Sequence, residues 1–358
     1  MSQYLLHAGG YTGRITLRNV PGWDIVSGTP TVTASSVLGV TYSLDGTLAA
    51  FAIRLDNTGQ HTLKVFTTSN WVEQFSTVVF SANGASAFSV AFSPNGQYLA
   101  VTYEATSSTP GFAVYTTSDW ELVTGTPNLG TQLANSCTFS PDGQYLAVAH
   151  NVSPYLAIID TNTWTAVAGT PALPTVARKV AFSPNGQYLA VGTSPVTSAS
   201  SMYVYNTSDW SLASDDFLPP ESGSNGGTSY GVAFSPDGVY LVTGNHVAPR
   251  MYVYYTADWS RVPGTPNVVT GGLNRQPWTF NFSSDSRYLA AGFEPNTDGS
   301  LRVFDTSNWS SVLAVNLNGS VISCQFSPPP EFLLATPTTL QTVASGGNRA
   351  LVSWDWTA

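Results

Sequence analysis

The residues that could carry chemistry in this chain are few, and their spacing decides what they are for. There are two cysteines and four histidines. Cys137 and Cys324 each stand two residues before a recurring aromatic, where the other copies of the same tract mostly hold valine (Val40, Val90, Val180, Val232). They read as buried valine substitutes and not as nucleophiles or a disulfide pair. His7, His61, His150 and His246 are scattered, with no Cys-x-x-Cys or His-x-x-x-His spacing that would hold a metal. Asp45, Asn95, Asp142, Asn185 and Asp237 recur, but singly and at turn positions, with no multi-carboxylate loop for calcium. No Gly-x-Ser-x-Gly elbow and no phosphate loop occurs. Asp215-Asp216 and Glu221, running into Gly- and Ser-rich residues 222–229, read as a solvated loop. The expectation is a protein that is not an enzyme and carries no metal or cofactor.

What positions these residues is a repeat. Phe92-Ser-Pro-Asn-Gly-Gln-Tyr-Leu-Ala-Val101 returns from Phe139 to Val148 and from Phe182 to Val191, and more loosely from Phe234 to Val242. Degenerate copies begin at Tyr42, Phe282 and Phe326. Between these anchors lies a second signature, Thr-Ser-Asn-Trp71, Thr-Ser-Asp-Trp120, Asn-Thr-Trp164, Thr-Ser-Asp-Trp210, Thr-Ala-Asp-Trp259 and Thr-Ser-Asn-Trp309, with Trp23 a seventh member. Gly28, Gly125, Gly169 and Gly264 each open a Gly-Thr-Pro tail. A period of about 47 residues marks a repeat architecture.

Each unit offers four short strands. Before the anchor, apolar Val40, Val90, Cys137, Val180, Val232, Phe280 and Cys324 are followed by small or polar Thr41, Ala91, Thr138, Ala181, Ala233, Asn281 and Gln325. That period of two is a strand with unlike faces. Ser-Pro-Asp-Gly is a tight turn in which proline sets φ and glycine takes the positive-φ position. Tyr-Leu-Ala-Val is the second strand, runs such as Met202–Tyr205 and Leu301–Phe304 the third, and the tryptophan is expected to open the fourth. No segment carries helical periodicity, and 23 prolines and 31 glycines punctuate the chain. Four antiparallel strands per unit are the blade of a β-propeller. A single such sheet buries too little surface to stand alone.

The expected fold is therefore all-β, a seven-bladed β-propeller of four-stranded antiparallel blades, one domain over residues 1–358. Anchors and tryptophans alternate strictly from Trp23 to Phe326, so the chain starts and ends inside a unit. Pairing the strand at Phe326 with the strand at Trp23 closes the ring through both termini. The middle strands of that closing blade are offered twice, as Tyr4–Ala8 with Arg14–Arg18 and as Leu340–Ala344 with Ala350–Trp354. One pair is an addition, or the ring has eight blades.

These residues resemble the WD-repeat family of β-propellers, especially its bacterial and viral relatives with Phe-Ser-Pro-Asp-Gly units, over nearly the whole chain. The dipeptide that names the family stands at Trp354-Asp355, and its aromatic position is held by Phe66, Tyr115, Tyr205, Tyr254 and Phe304, with Ile159 the exception. The Gly-His pair and buried Asp-His network of eukaryotic repeats are missing. The resemblance implies a rigid disc that holds partners and does no chemistry.

Composition narrows the partners. The chain is 12% aromatic but only 9% charged, with a net charge of −9 and two lysines, Lys64 and Lys179. Nucleic acid and anionic membrane surfaces are excluded as expected partners. The opening residues carry no secretory pattern, and no apolar run reaches the length of a membrane span. Turns of the Ser-Pro-Asp-Gly and Thr-Ser-Asp-Trp kinds share one face of the disc, and the loops of the opposite face vary strongly. Loops on a rigid scaffold carry function, so the variable face is the expected binding surface, with Arg178, Lys179, Arg250, Arg275 and Trp278 as candidate contacts. The expected role is a non-enzymatic interaction or structural propeller holding other proteins of an assembly, with a bacteriophage virion component (tail or capsid-associated) as the particular expectation, and the cytoplasm as the other location. A propeller binding cell-surface glycan and, after it, a propeller enzyme such as a lactonase are the alternatives.

Overall fold

In the computed structural model the described residues are 3–9, 15–27, 36–54, 61–80, 87–103, 111–129, 133–195, 200–215, 227–245, 250–266, 277–294, 300–316, 320–328, 340–343 and 351–354. They contain strands and turns and no helix, so none is long and apolar enough to cross a membrane. The inner strands of blades one to seven are Ser36–Tyr42, Ala87–Phe92, Ala134–Phe139, Val176–Phe182, Val232–Phe234, Pro277–Phe282 and Val321–Phe326. Each lies beside the next, and the seventh lies against the first. The ring has seven blades, not eight.

Within a blade the strands pair antiparallel in chain order from the axis outward. The outermost segment is the weakest. In blades two, five and seven it is reduced to one bridge, Tyr115 with Leu122, Tyr254 with Arg261 and Arg18 with Ile25. Blade seven is built from both ends of the chain: Val321–Phe326 pairs with Gln3–Gly9, which pairs with Ile15–Val20. Tyr4–Ala8 is thus the middle strand that completes the ring. The competing pair, Leu340–Val343 with Leu351–Trp354, forms its own two-stranded sheet.

The core sits between blades. In the gap between blades seven and one, Leu6, Ala8, Ile15 and Leu17 pack on Val37, Val40, Phe51 and Phe66. The period of two before each anchor is observed: Val40, Val90, Cys137, Val180, Val232, Phe280 and Cys324 are buried, and the residue after each is partly exposed.

The tryptophans do not open the fourth strand. All seven close the preceding turn in the left-handed region, with φ between 55° and 64° (Trp23, Trp71, Trp120, Trp164, Trp210, Trp259, Trp309). Six of them donate the backbone N–H to the carbonyl four residues earlier, as Trp309 does to Asp305 at 2.7 Å and Trp164 to Asp160 at 2.7 Å. Positive φ turns the indole sideways onto the preceding blade, where it meets the tyrosine of the Tyr-Leu-Ala-Val strand edge-on. Trp164–Tyr98, Trp210–Tyr145, Trp259–Tyr188, Trp309–Tyr240 and Trp23–Tyr288 have ring centroids 5.0–5.5 Å apart and planes at 79–84°. Blade one has Leu48 where the tyrosine would stand, and Trp120 stacks instead on Phe75 at 4.9 Å. A backbone conformation that is costly for a large side chain is held here by edge-to-face contact between blades.

Candidate binding face and axial channel

The two faces of the disc differ in how their polar groups are used. On the Ser-Pro-Asp-Gly face they are paired internally. Ser140 Oγ donates to Asp142 Oδ1 at 2.5 Å and accepts from the Tyr145 N–H at 2.9 Å, while the Gln144 N–H donates to Asp142 Oδ1 at 3.0 Å. Gly143 takes φ of 74°. The same bonds recur at Ser93/Asn95, Ser183/Asn185, Ser235/Asp237 and Ser283/Asp285. In blades one to five a threonine after the third strand ties the two kinds of turn together: Thr68, Thr161 and Thr207 donate to the carbonyls of Gly46, Gly143 and Gly186 at 2.6, 2.6 and 2.5 Å, and Thr117 and Thr256 to those of Gly96 and Gly238. The serine hydroxyl and one oxygen of the Asp or Asn side chain are thus used within each of these turns.

The opposite mouth of the channel is built by a β-bulge. Register shifts place one extra residue, four before the anchor, at Leu38, Phe88, Asn135, Arg178, Trp278 and Ile322 in blades one, two, three, four, six and seven. Tyr230 holds the same offset in blade five. A bulge leaves a residue unpaired and re-aims its side chain. Because the inner strands run from the variable loops toward the Ser-Pro-Asp-Gly turns, these residues ring the variable-face mouth. All seven differ in type, whereas two residues further on every blade has Val, Cys or Phe, and every anchor is Phe or Tyr.

Three of them meet. The Arg178 guanidinium carbon lies 5.9 Å from the Tyr230 ring centroid, and the Tyr230 and Trp278 rings lie 4.8 Å apart at 52°. All three are partly exposed. Arg178 Nε and Trp278 Nε1 are buried donors with no hydrogen-bond partner among the described residues. Beside them Asn135 Nδ2 donates to the Ala177 carbonyl at 2.7 Å, joining blades three and four at the bulge. A cation and two partly exposed aromatic rings side by side suit a partner that offers carboxylate oxygens and an apolar surface.

Below the mouth runs an axial cavity of about 320 Å³ lined by consecutive residues of all seven inner strands. Lys179 lines it and is the one charged residue of the lining among the described residues. Burial lowers the Lys179 ammonium pKa from the ordinary lysine value. Cys137 and Cys324 line the same cavity, both buried and free, and burial pushes both thiols up to about 12 against a smaller opposing pull from Lys179.

Arg250 is buried with φ of 72° at the start of a third strand, its carbonyl accepting the Asn245 N–H at 2.8 Å, so it helps to shape a loop end. Arg275, His246, Asp216 and Glu221 lie outside the described residues. His7 and His150 are buried in separate blades. Among the described residues no group of three or more His, Cys, Asp or Glu is placed to hold a metal ion. Tyr230 and Asn135 were not among the sequence candidates; their shared offset from the anchor was the available signal. The sequence matches no protein-family model and no curated protein.

Proposed function

We propose that this β-propeller is a non-enzymatic docking disc that holds another protein of an assembly on its variable-loop face, over the channel mouth ringed by Asn135, Arg178, Tyr230 and Trp278. The observation that carries this reading is the contrast between faces: the repeated turns pair serine with Asp or Asn internally, while the bulge ring varies at every blade and leaves Arg178 Nε and Trp278 Nε1 without a hydrogen-bond partner among the described residues. Residues that differ at every blade beside a kept apolar position and a kept aromatic anchor suit a role in recognition. The low charge, the Ser-, Thr-, Gly- and Asn-rich loops and the regular repeats fit a bacteriophage virion component, tail or capsid-associated. The side-by-side rings of Tyr230 and Trp278 also favour, as a second reading, stacking on a sugar.

Mass spectrometry of purified particles tests the virion role, and the chain's absence from them would end it. For the face, cross-linking to the identified partner is expected to weaken at least tenfold in the Arg178→Ala/Trp278→Ala double variant with the fold retained. Equal cross-linking in that variant would remove the bulge ring from recognition. Loss of glycan-array binding in Trp278→Ala would favour the second reading.

A further inference from the structure

We propose that the axial channel is a binding site for a small oxyanion of the carboxylate or sulfate class, held by the Lys179 ammonium and a ring of hydroxyl groups at the same level. The inference is independent of the docking reading, since it concerns the interior of the disc.

Lys179 stands three residues before its anchor. At that offset the other inner strands present Gly39, Ser89, Ser136, Gly231, Thr279 and Ser323, small or hydroxylic in every case. Ser89, Ser136, Thr279 and Ser323 line the cavity with Lys179. Ser136 is 1% exposed and its Oγ has no hydrogen-bond partner among the described residues. Ser323 Oγ accepts from the Val40 N–H at 3.0 Å, and Thr279 Oγ1 lies 4.0 Å from the Cys324 sulfur. Among the described residues no aspartate or glutamate lies in the lining. No hydrogen bond or ion pair is seen for Lys179 among the described residues.

Lys179 is partly exposed to the channel, and an ammonium group drawn into a protein cavity without a counter-charge is costly. In a chain of net charge −9, this cavity presents a single positive charge surrounded by hydroxyl donors, a donor set suited to anionic oxygen. The titratable groups facing Lys179 are the thiols of Cys137 and Cys324, which stay protonated at neutral pH and give it no negative partner.

The chain has only two lysines, and Lys64 is ion-paired with Glu73 at 2.5 Å, so it serves as an internal reference. In protein labelled with ¹³C at lysine Cε, acetate and then sulfate are titrated against chloride at constant ionic strength. The proposal expects the Lys179 signal to shift saturably, its titration midpoint to move up, and the Lys64 signal to stay. Lys179→Met is expected to fold and to lose the saturable part of the anion-dependent rise in Tm, leaving only the non-saturating effect of sulfate. Lys179→Arg is expected to keep it. A Lys179 signal that does not respond, or that changes linearly together with Lys64, overturns the site. So does an equal saturable rise in Tm in Lys179→Met.

Discussion

Ser327 and Tyr4, at opposite ends of the chain, exchange the two hydrogen bonds that a Ser-Pro-Asp-Gly turn makes within itself. The Tyr4 N–H donates to Ser327 Oγ at 3.0 Å, and the Ser327 N–H donates to the Tyr4 carbonyl at 2.7 Å. Ser93 and Tyr98 make the same pair at 2.9 and 2.9 Å. The chain is therefore cut where the first turn of blade seven would be. Joining Ser327 to Tyr4 through Pro-Asp-Gly-Gln, without residues 328–358 and 1–3, and opening the chain between Gly143 and Gln144 is expected to give a folded disc with an unchanged β-sheet circular dichroism spectrum. Failure of that permutant together with success of one that keeps residues 328–358 would make the C-terminal hairpin part of the closure.

Trp309 tests the left-handed turn. The residue is 7% exposed, its ring packs edge-on against Tyr240, and its φ is 57°. Trp309→Ala is expected to cost about 3–5 kcal/mol through lost packing. Trp309→Gly is expected to cost about 0.5–1 kcal/mol less than the alanine, since glycine relieves the positive φ. Urea unfolding reads both values, and the opposite order would deny the strain.

Cys137 tests the core. Val90 and Val180 hold the same register position in the neighbouring blades, so Cys137→Val is expected to change stability by less than about 1 kcal/mol. Both native thiols are expected to react with a thiol reagent only as fast as the protein opens. Immediate labelling of either would contradict their burial.

Acid is expected to weaken the disc through two histidines. Burial, with the nearby Arg18 charge adding, lowers His7 to about 3, and burial lowers His150 to about 4. Arg18 Nε donates to His7 Nε2 at 3.4 Å, which needs that nitrogen unprotonated. Both rings are neutral when folded, and the unfolded chain binds protons first. Stability is therefore full above pH 6.5 and falls as pH drops toward 4 and 3, by roughly 3 kcal/mol for His150 alone. His150→Phe, which copies Phe293 at the same register, should flatten the curve between pH 6.5 and 4. An unchanged slope would remove His150 as a cause.

Most of this fold was legible because backbone needs repeat in sequence. Proline and glycine at fixed offsets announced the first turns of blades two to five, and the valine, cysteine or phenylalanine before each anchor announced the buried side of each inner strand. The bulge was hidden because its residues (Leu38, Phe88, Asn135, Arg178, Tyr230, Trp278, Ile322) share no chemistry, and a bulge breaks the very alternation used to read a strand. The tryptophan turn was misread because an aromatic after Thr-Ser-Asp suits a strand start, whereas positive φ at a large side chain is rare enough to be discounted. Lys179 was read as a rim residue because offset alone cannot separate the mouth from the channel when one inserted residue lies between them.

The central claim is that the partner sits on the bulge ring and not on the repeated turns. A photo-reactive amino acid placed at Trp278 in one preparation and at Asp142 in another, followed by irradiation of the assembled complex, tests it directly. Cross-linking from position 278 with none from position 142 is the expected result, and cross-linking from position 142 alone would contradict it.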